Sequence, residues 1–264
     1  MNKKLLVKVQ NLSAGYGKKV ILDSINFDIN SNEIVGLIGS NGCGKTTLIK
    51  SVCKIIPSQG EIIIEDKNSI SMSSKVFAQN VSLVPQKSGI SIDISVLDVV
   101  LMGFNPFLAV LNRPDSSMIL KAEELLQLFG LYDRRFDSFQ DLSEGQKQLV
   151  IIARSLVADT KILFMDEPES SLDFAVRYSM MNILKNEIKS KNKCALVSLH
   201  DVNLALKFCD KLLLIKDGKI ASTVNLIEED INSIESKLQN IYGSVRLLTV
   251  KDNDDNESLV MVKV

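Results

Sequence analysis

The stretch Glu33-Ile34-Val35-Gly36-Leu37-Ile38-Gly39-Ser40-Asn41-Gly42-Cys43-Gly44-Lys45-Thr46 passes from an apolar run into a glycine-rich loop and then into helix-forming residues. Glycines let such a loop fold tightly, so that successive backbone N–H groups face one anion. A helix start adds partial positive charge at the same point. Lys45 supplies a full charge for the β- and γ-phosphates of a nucleotide, and the Thr46 hydroxyl suits Mg²⁺. With a strand expected at 33–38 and a helix from 45 toward 54, the spacing predicts a phosphate-binding loop. By itself this loop does not separate kinases, GTPases and ATPases. Cys43 stands at the helix start, where a thiol pKa can be lowered; the plainer reading is a small residue that fits.

A second apolar run, Ile162-Leu163-Phe164-Met165, ends in Asp166-Glu167-Pro168. A buried strand that emits Asp166 at its tip can aim that carboxylate at a Mg²⁺-bound water beside Thr46. Glu167, one residue later and turned to the other side, is placed to polarise an attacking water. Read without the loop, the pair would be no more than solvated acids at a strand end.

Outward from these two points, short strands are expected at 5–10, 19–22 and 25–29, with Gly15 and Gly17 as turn residues between the first two. Pro57 to Gly60 should stop the first helix, with strands following at 61–65 and 81–84. From 93 to about 157 the apolar spacing turns helical, at 96–103, 116–129 and 143–157. Phe174, Tyr178, Met181, Leu184 and Ile188 mark one face of a further helix. Strands are expected again at 194–199 and 212–216, and Asp217-Gly218 reads as a hairpin turn. Apolar strands alternating with helices predict a parallel sheet covered on both faces, an α/β fold, with the helical block inserted into it. The tail from 228 reads as a small appendage, strand-rich from 243 to 264.

Composition sets the remaining bounds. In the 264-residue chain, 31 basic and 32 acidic residues leave a net charge of −1, which argues against a nucleic-acid footprint. Cys43, Cys53, Cys194 and Cys209 show no metal-ligand spacing and read as reduced thiols. Residues 1–10 lack the unbroken apolar run of a signal peptide, because Lys8 interrupts it. The longest apolar stretch, 96–111, holds Asp98, Asn105 and Pro106 and is too short to span a bilayer.

Leu142-Ser143-Glu144-Gly145-Gln146 resembles the signature motif of ABC ATPases, usually LSGGQ, and opens a helix upstream of the acidic strand. Ser143 with Gln146 three residues on would also form an ordinary capping box. The company of other motifs, in order, carries the resemblance. Tyr16 stands where the family places an aromatic against adenine, Gln86 matches its Q-loop, Ser171-Leu172-Asp173 its D-loop and His200, the sole histidine, its switch histidine. The resemblance covers about 5–242. It implies a P-loop NTPase of the ABC ATPase fold: a parallel-sheet core, an N-terminal antiparallel β subdomain and an inserted helical subdomain at about 93–157.

It further implies ATP and Mg²⁺ as cofactors. Tyr16, Gly39, Ser40, Asn41, Gly42, Cys43, Gly44, Lys45, Thr46, Thr47, Gln86, Ser143, Gly145, Gln146 and Asp173 would contact nucleotide, Thr46, Gln86 and Asp166 the metal, and Glu167 and His200 would catalyse hydrolysis. Two copies would close head-to-tail on ATP, the loop of one facing Ser143, Gly145 and Gln146 of the other. Glu144 replaces a usual glycine; its carboxylate either points to solvent or weakens closure. Within the family, Met102-Gly103-Phe104-Asn105-Pro106-Phe107 and His200-Asp201-Val202-Asn203-Leu204-Ala205 resemble ATPases of iron–siderophore, haem and cobalamin import, with Phe104 and Phe107 where Arg and His are usual. That implies a membrane permease gripped by an exposed turn at Phe104 and Phe107 together with the Gln86 loop. It also implies an extracytoplasmic binding protein, no nucleic acid, and a peripheral place on the cytoplasmic face of the membrane. A soluble ABC regulator or assembly scaffold is the alternative.

Overall fold

The computed structural model describes residues 4–109, 112–251 and 257–264. Its first elements form an antiparallel sheet. Strands β1 (Leu5–Tyr16) and β2 (Lys19–Asn30) make a long hairpin whose turn lies at Gly17 and Lys18. β1 therefore runs past 10 and through Gly15, which pairs with Val20 rather than turning the chain. Register shifts along β1 and β2 absorb the irregular pattern that suggested shorter strands. β3 (Glu33–Ile38) enters the second sheet, α1 (Lys45–Val52) follows the glycine loop, and β4 (Ser58–Ile64) with β5 (Lys67–Asn68) completes the first sheet in the order β2-β1-β4-β5.

α2 (Ser74–Asn80) leads into β6 (Val81–Val84), and then come α3 (Val96–Leu101), α4 (Ser116–Leu128) and α5 (Glu144–Val157). Strands and helices then alternate: β7 (Ile162–Asp166), α6 (Phe174–Ser190), β8 (Cys194–Ser198), α7 (Val202–Phe208) and β9 (Lys211–Lys216). β10 (Lys219–Asn225) returns antiparallel on β9 through the Asp217-Gly218 turn. α8 (Ile231–Tyr242) and a hairpin of β11 (Val245–Lys251) and β12 (Glu257–Lys263) end the chain.

The second sheet has the order β10-β9-β3-β8-β7-β6, with every pair from β9 to β6 parallel. All residues of β3, β7 and β8 are buried, as strands covered on both faces must be. One core joins the antiparallel sheet and α1 to this sheet, through Leu22, Ile29, Leu48 and Phe164. The other joins it to α3–α7 through Leu126, Phe139, Val150 and Leu184.

Phe104 corrects the sequence expectation. It is only 7% exposed and belongs to the core under α4, with Lys121 above its ring, whereas Phe107 is 41% exposed. The helix before it ends in a 3₁₀ turn over Met102–Phe104, pressed against α5. A Cβ on Gly103 would lie 2.1 Å from the Arg154 carbonyl oxygen, so only glycine permits this approach. Among the described residues no helix is long and apolar enough to cross a membrane. Residues 1–3 of the expected non-signal segment, and 110 and 111 of the longest apolar stretch, lie outside the described residues.

Candidate active site

Adjacent parallel strands β3, β8, β7 and β6 release their chains at one edge of the sheet, the edge where ligands bind in open α/β sheets. β3 leads into the 39–46 loop, β8 to His200, β7 ends at Asp166 before Glu167, and β6 is followed by Gln86. The loop turns at Gly42 (φ 78°) and at Gly44 (φ 113°), the N-cap of α1. No side chain caps α1 and no acid stands in its first turn, which leaves its N–H donors and positive end open to an anion.

Lys45 is 4% exposed, and its ammonium donates to the carbonyls of Gly39 (2.9 Å) and Ser40 (3.4 Å). Among the described residues no carboxylate pairs with it. A buried cation balanced only by carbonyl dipoles is a site that an anion completes. A cavity of about 190 Å³ opens here, lined by Tyr16, Asn41, Gly42, Lys45, Thr46, Thr47 and Glu167 among others. A second, of about 210 Å³, lies between Thr46, Gln86 and Asp166. Another cavity, of about 480 Å³, sits beside the β1–β2 hairpin and shares only Tyr16 with the candidate residues.

The acids form one network. Thr46 Oγ1 donates to Asp166 Oδ1 (3.1 Å), and so does Ser198 Oγ (2.9 Å), which itself accepts the Glu167 N–H (2.9 Å). Burial raises the Asp166 pKa even against the Ser198 and Thr46 bonds. Glu167 takes φ 51°, a left-handed conformation costly for a non-glycine residue. Its carboxylate accepts from Gln86 Nε2 on Oε2 (2.6 Å) and meets His200 Nε2 on Oε1 (2.7 Å). Loop, strand end, Q-loop and histidine therefore converge within one chain.

The signature residues stand apart. Ser143, Gly145 and Gln146 line neither of these two cavities and share no hydrogen bond with 39–47 among the described residues. Ser143 caps α5 in a reciprocal box with Gln146. Gly145 lies against the Ser171 carbonyl, and Asp173 caps α6 from an exposed position. Glu144 points to solvent, its side chain 80% exposed and paired with Lys147 at 3.0 Å. Burial raises the Cys43 thiol pKa against the pull of Lys45. All four cysteines are free.

Two residues that the sequence did not single out complete the network. Ser198 was legible in principle, as the only hydroxyl in an apolar strand. Glu169 carried no such signal, because an acid two residues past a strand end reads as a solvated loop; in the fold it is 2% exposed and accepts the His200 N–H at 2.8 Å.

Residues 22–170 match the ABC transporter family. The manganese transport system ATP-binding protein of Bacillus subtilis is 35% identical over 249 residues, 93% of this chain and 95% of its own length. The hemin import ATP-binding protein of Vibrio parahaemolyticus is 30% identical over 245 residues, 91% of this chain and 92% of its own length. An inward-facing transporter assigned to the metal-chelate type superposes over 100% of this chain and 98% of the matched chain, with TM-score 0.82 and 26% identity. The chain belongs to the ABC transporter family and is an ATP-binding, ATP-hydrolysing cassette of the ABC ATPase fold.

Proposed function

We propose that this chain powers an importer of metal-chelate cargo of the iron–siderophore, haem or cobalamin kind, working as a head-to-tail pair on the cytoplasmic face of a membrane permease that takes cargo from an extracytoplasmic binding protein. One observation carries the mechanistic part. Glu167, Gln86, His200 and the Lys45 loop meet in one chain, while Ser143, Gly145 and Gln146 stand outside that site. A second copy supplies what a single chain leaves open: the N-terminus of its α5, with donors and a dipole for the γ-phosphate.

In this reading Tyr16 meets the base, and the N–H groups of the 39–46 loop with Lys45 hold the phosphates. The Thr46 hydroxyl, the Asp166 carboxylate and the Gln86 carbonyl oxygen form a hard-oxygen set that suits Mg²⁺; the Gln86 oxygen is free for it because its amide nitrogen serves Glu167. Bound there, Mg²⁺ would offset charge on the β- and γ-phosphates. Glu167 takes a proton from the attacking water as its oxygen bonds to the γ-phosphorus and ADP leaves. His200 orients Glu167 and the γ-phosphate. Asp173 would meet the partner copy across the closed interface.

We read 5–242 as the ATPase domain, with the helical insertion at about 93–157, and 243–264 as an appendage. Among the described residues β11 and β12 pair only with each other. Asn203 of α7 holds them through two hydrogen bonds to the Met261 backbone. With Phe104 in the core, the permease-facing surface reduces to Phe107 and the exposed Gln86 loop.

The cargo assignment draws on the hemin relative and the metal-chelate structural neighbour. The manganese relative, with higher identity and coverage than the hemin relative, supports a second reading, import of a free metal ion. Uptake of haem, an iron–siderophore complex and Mn²⁺ by cells carrying the chain with its permease separates the two. For the mechanism, Glu167→Gln should bind ATP yet turn it over roughly 10²–10⁴-fold more slowly. It should also elute as a dimer only with ATP in size-exclusion with light scattering. Normal turnover by that variant would remove Glu167 from its role.

A further inference from the structure

Glu169 is buried as deeply as any acid near the site, at 2% exposed. One of its oxygens, Oε1, accepts the backbone N–H of His200 at 2.8 Å. The other, Oε2, is the only buried carboxylate oxygen among the described residues without a hydrogen-bond partner. Burying an acid with half its hydrogen-bonding capacity unused is unfavourable, and an apolar side chain would fill the space without that burden. Burial accordingly raises the Glu169 pKa, against the pull of the His200 N–H.

The placement shows what the acid does. Glu167 and Glu169 flank Pro168 and hold the same histidine at two points: the ring through Glu167 Oε1 at 2.7 Å, the backbone through Glu169 Oε1 at 2.8 Å. The turn that carries them is closed by Ser170 N–H to the Glu167 carbonyl (3.2 Å) and Leu172 N–H to the Glu169 carbonyl (3.1 Å). Ser198, two residues before His200, binds the Glu167 N–H from the other side. The 166–173 segment and the end of β8 are thereby fixed to each other.

We propose that Glu169 is a positioning residue for ATP hydrolysis. It fixes the His200 backbone so that the imidazole meets Glu167, and it links the histidine to the segment that ends at Asp173. This rests on the reading of Glu167 and His200 as hydrolytic residues. Among the described residues Glu169 shares no hydrogen bond with the 39–46 loop or Tyr16 and lines neither site cavity, so its loss should act on turnover and not on nucleotide affinity.

The test uses the full chain with Glu169→Met, an unbranched apolar side chain of similar size, and Glu169→Gln, which keeps an acceptor for the His200 N–H. Steady-state kcat and KM for ATP are measured beside equilibrium binding of a non-hydrolysable ATP analogue, with Glu167→Gln in the same assays. Glu169→Met should lower kcat by on the order of 10-fold to 100-fold, as misplacement of a reacting group does, with KM and analogue affinity within about twofold. Glu169→Gln should recover most of that loss. Wild-type kcat in Glu169→Met overturns the proposal, and so does a Gln variant no better than Met, or a KM that rises as kcat falls. Should Glu169→Met not fold, Glu169→Ala, which leaves a void instead of a misfit, is read by the same criteria. A slow Glu167→Gln beside a fully active Glu169→Met sinks only the role of Glu169, whereas a fully active Glu167→Gln sinks the parent reading.

Discussion

Gly44 shows how closely single residues are constrained at this site. Its φ of 113° is one that side chains with a Cβ rarely adopt, and an added Cβ would lie 2.7 Å from Leu22 Cδ2. Gly44→Ala should therefore destabilise the fold by about 1–3 kcal/mol. It should also weaken ATP binding by tilting the N–H groups of the loop; urea denaturation without nucleotide and an ATP titration would read the two effects separately. Glu167 shares the left-handed region, and there no glycine advertises it: the Ser198 bond to its N–H and the contacts to its carboxylate hold it. The glycine loop was legible because its chemistry requires particular residue types next to one another. The conformation of Glu167 was not, because partners distant in sequence impose it.

At the scale of elements, α5 combines two roles that one substitution can separate. Ser143 accepts the Gln146 N–H at 3.3 Å, and Gln146 Oε1 accepts the Ser143 N–H at 3.0 Å and Arg134 Nη1 at 3.1 Å. Ser143→Ala should lose about 1 kcal/mol of cap, a fall of roughly 2–4 °C in melting temperature. Ser143→Asp keeps a good cap, so its melting temperature should stay near wild type. Its charge would oppose a triphosphate, however, and should abolish the ATP-dependent dimer in the Glu167→Gln background. If the aspartate variant dimerises normally, Ser143 is a cap alone. Long helices and continuous apolar strands were readable from their periodicity. α2 was not, because only Phe77 of its residues is buried and its apolar spacing is correspondingly faint.

Over the whole molecule, the two sheets are joined at their rims as well as through their core. Glu65, just past β4, accepts Lys161 at 2.6 Å and Lys4 at 3.5 Å, and Lys161 directly precedes β7. Burial alone would raise the Glu65 pKa, but the Lys161 bond and the two positive charges outweigh it and lower it. A carboxylate whose pKa is lower folded than unfolded adds stability above the ordinary carboxylate range. That contribution fades as pH falls through the folded value. Lys161 is 58% exposed, so the contribution is of surface-pair size, about 0.2–1 kcal/mol. Glu65→Gln should lower the urea midpoint at pH 7, and the gap to wild type should close as the pH falls below the ordinary carboxylate range and as salt is added.

What the sequence determined by itself was the set of local motifs: the loop at 39–46, the acids after β7, the capping box before α5 and the histidine after β8. Each depends on neighbours along the chain, so order and spacing were enough to expose them and the family they resemble. Only the tertiary structure decided that β3, β8, β7 and β6 stand side by side, that Gln86 and His200 therefore grip one carboxylate, that Phe104 is core and that Glu169 is buried behind the histidine. These follow from strand order and from packing between segments far apart in the chain, and no local periodicity encodes which distant segments meet.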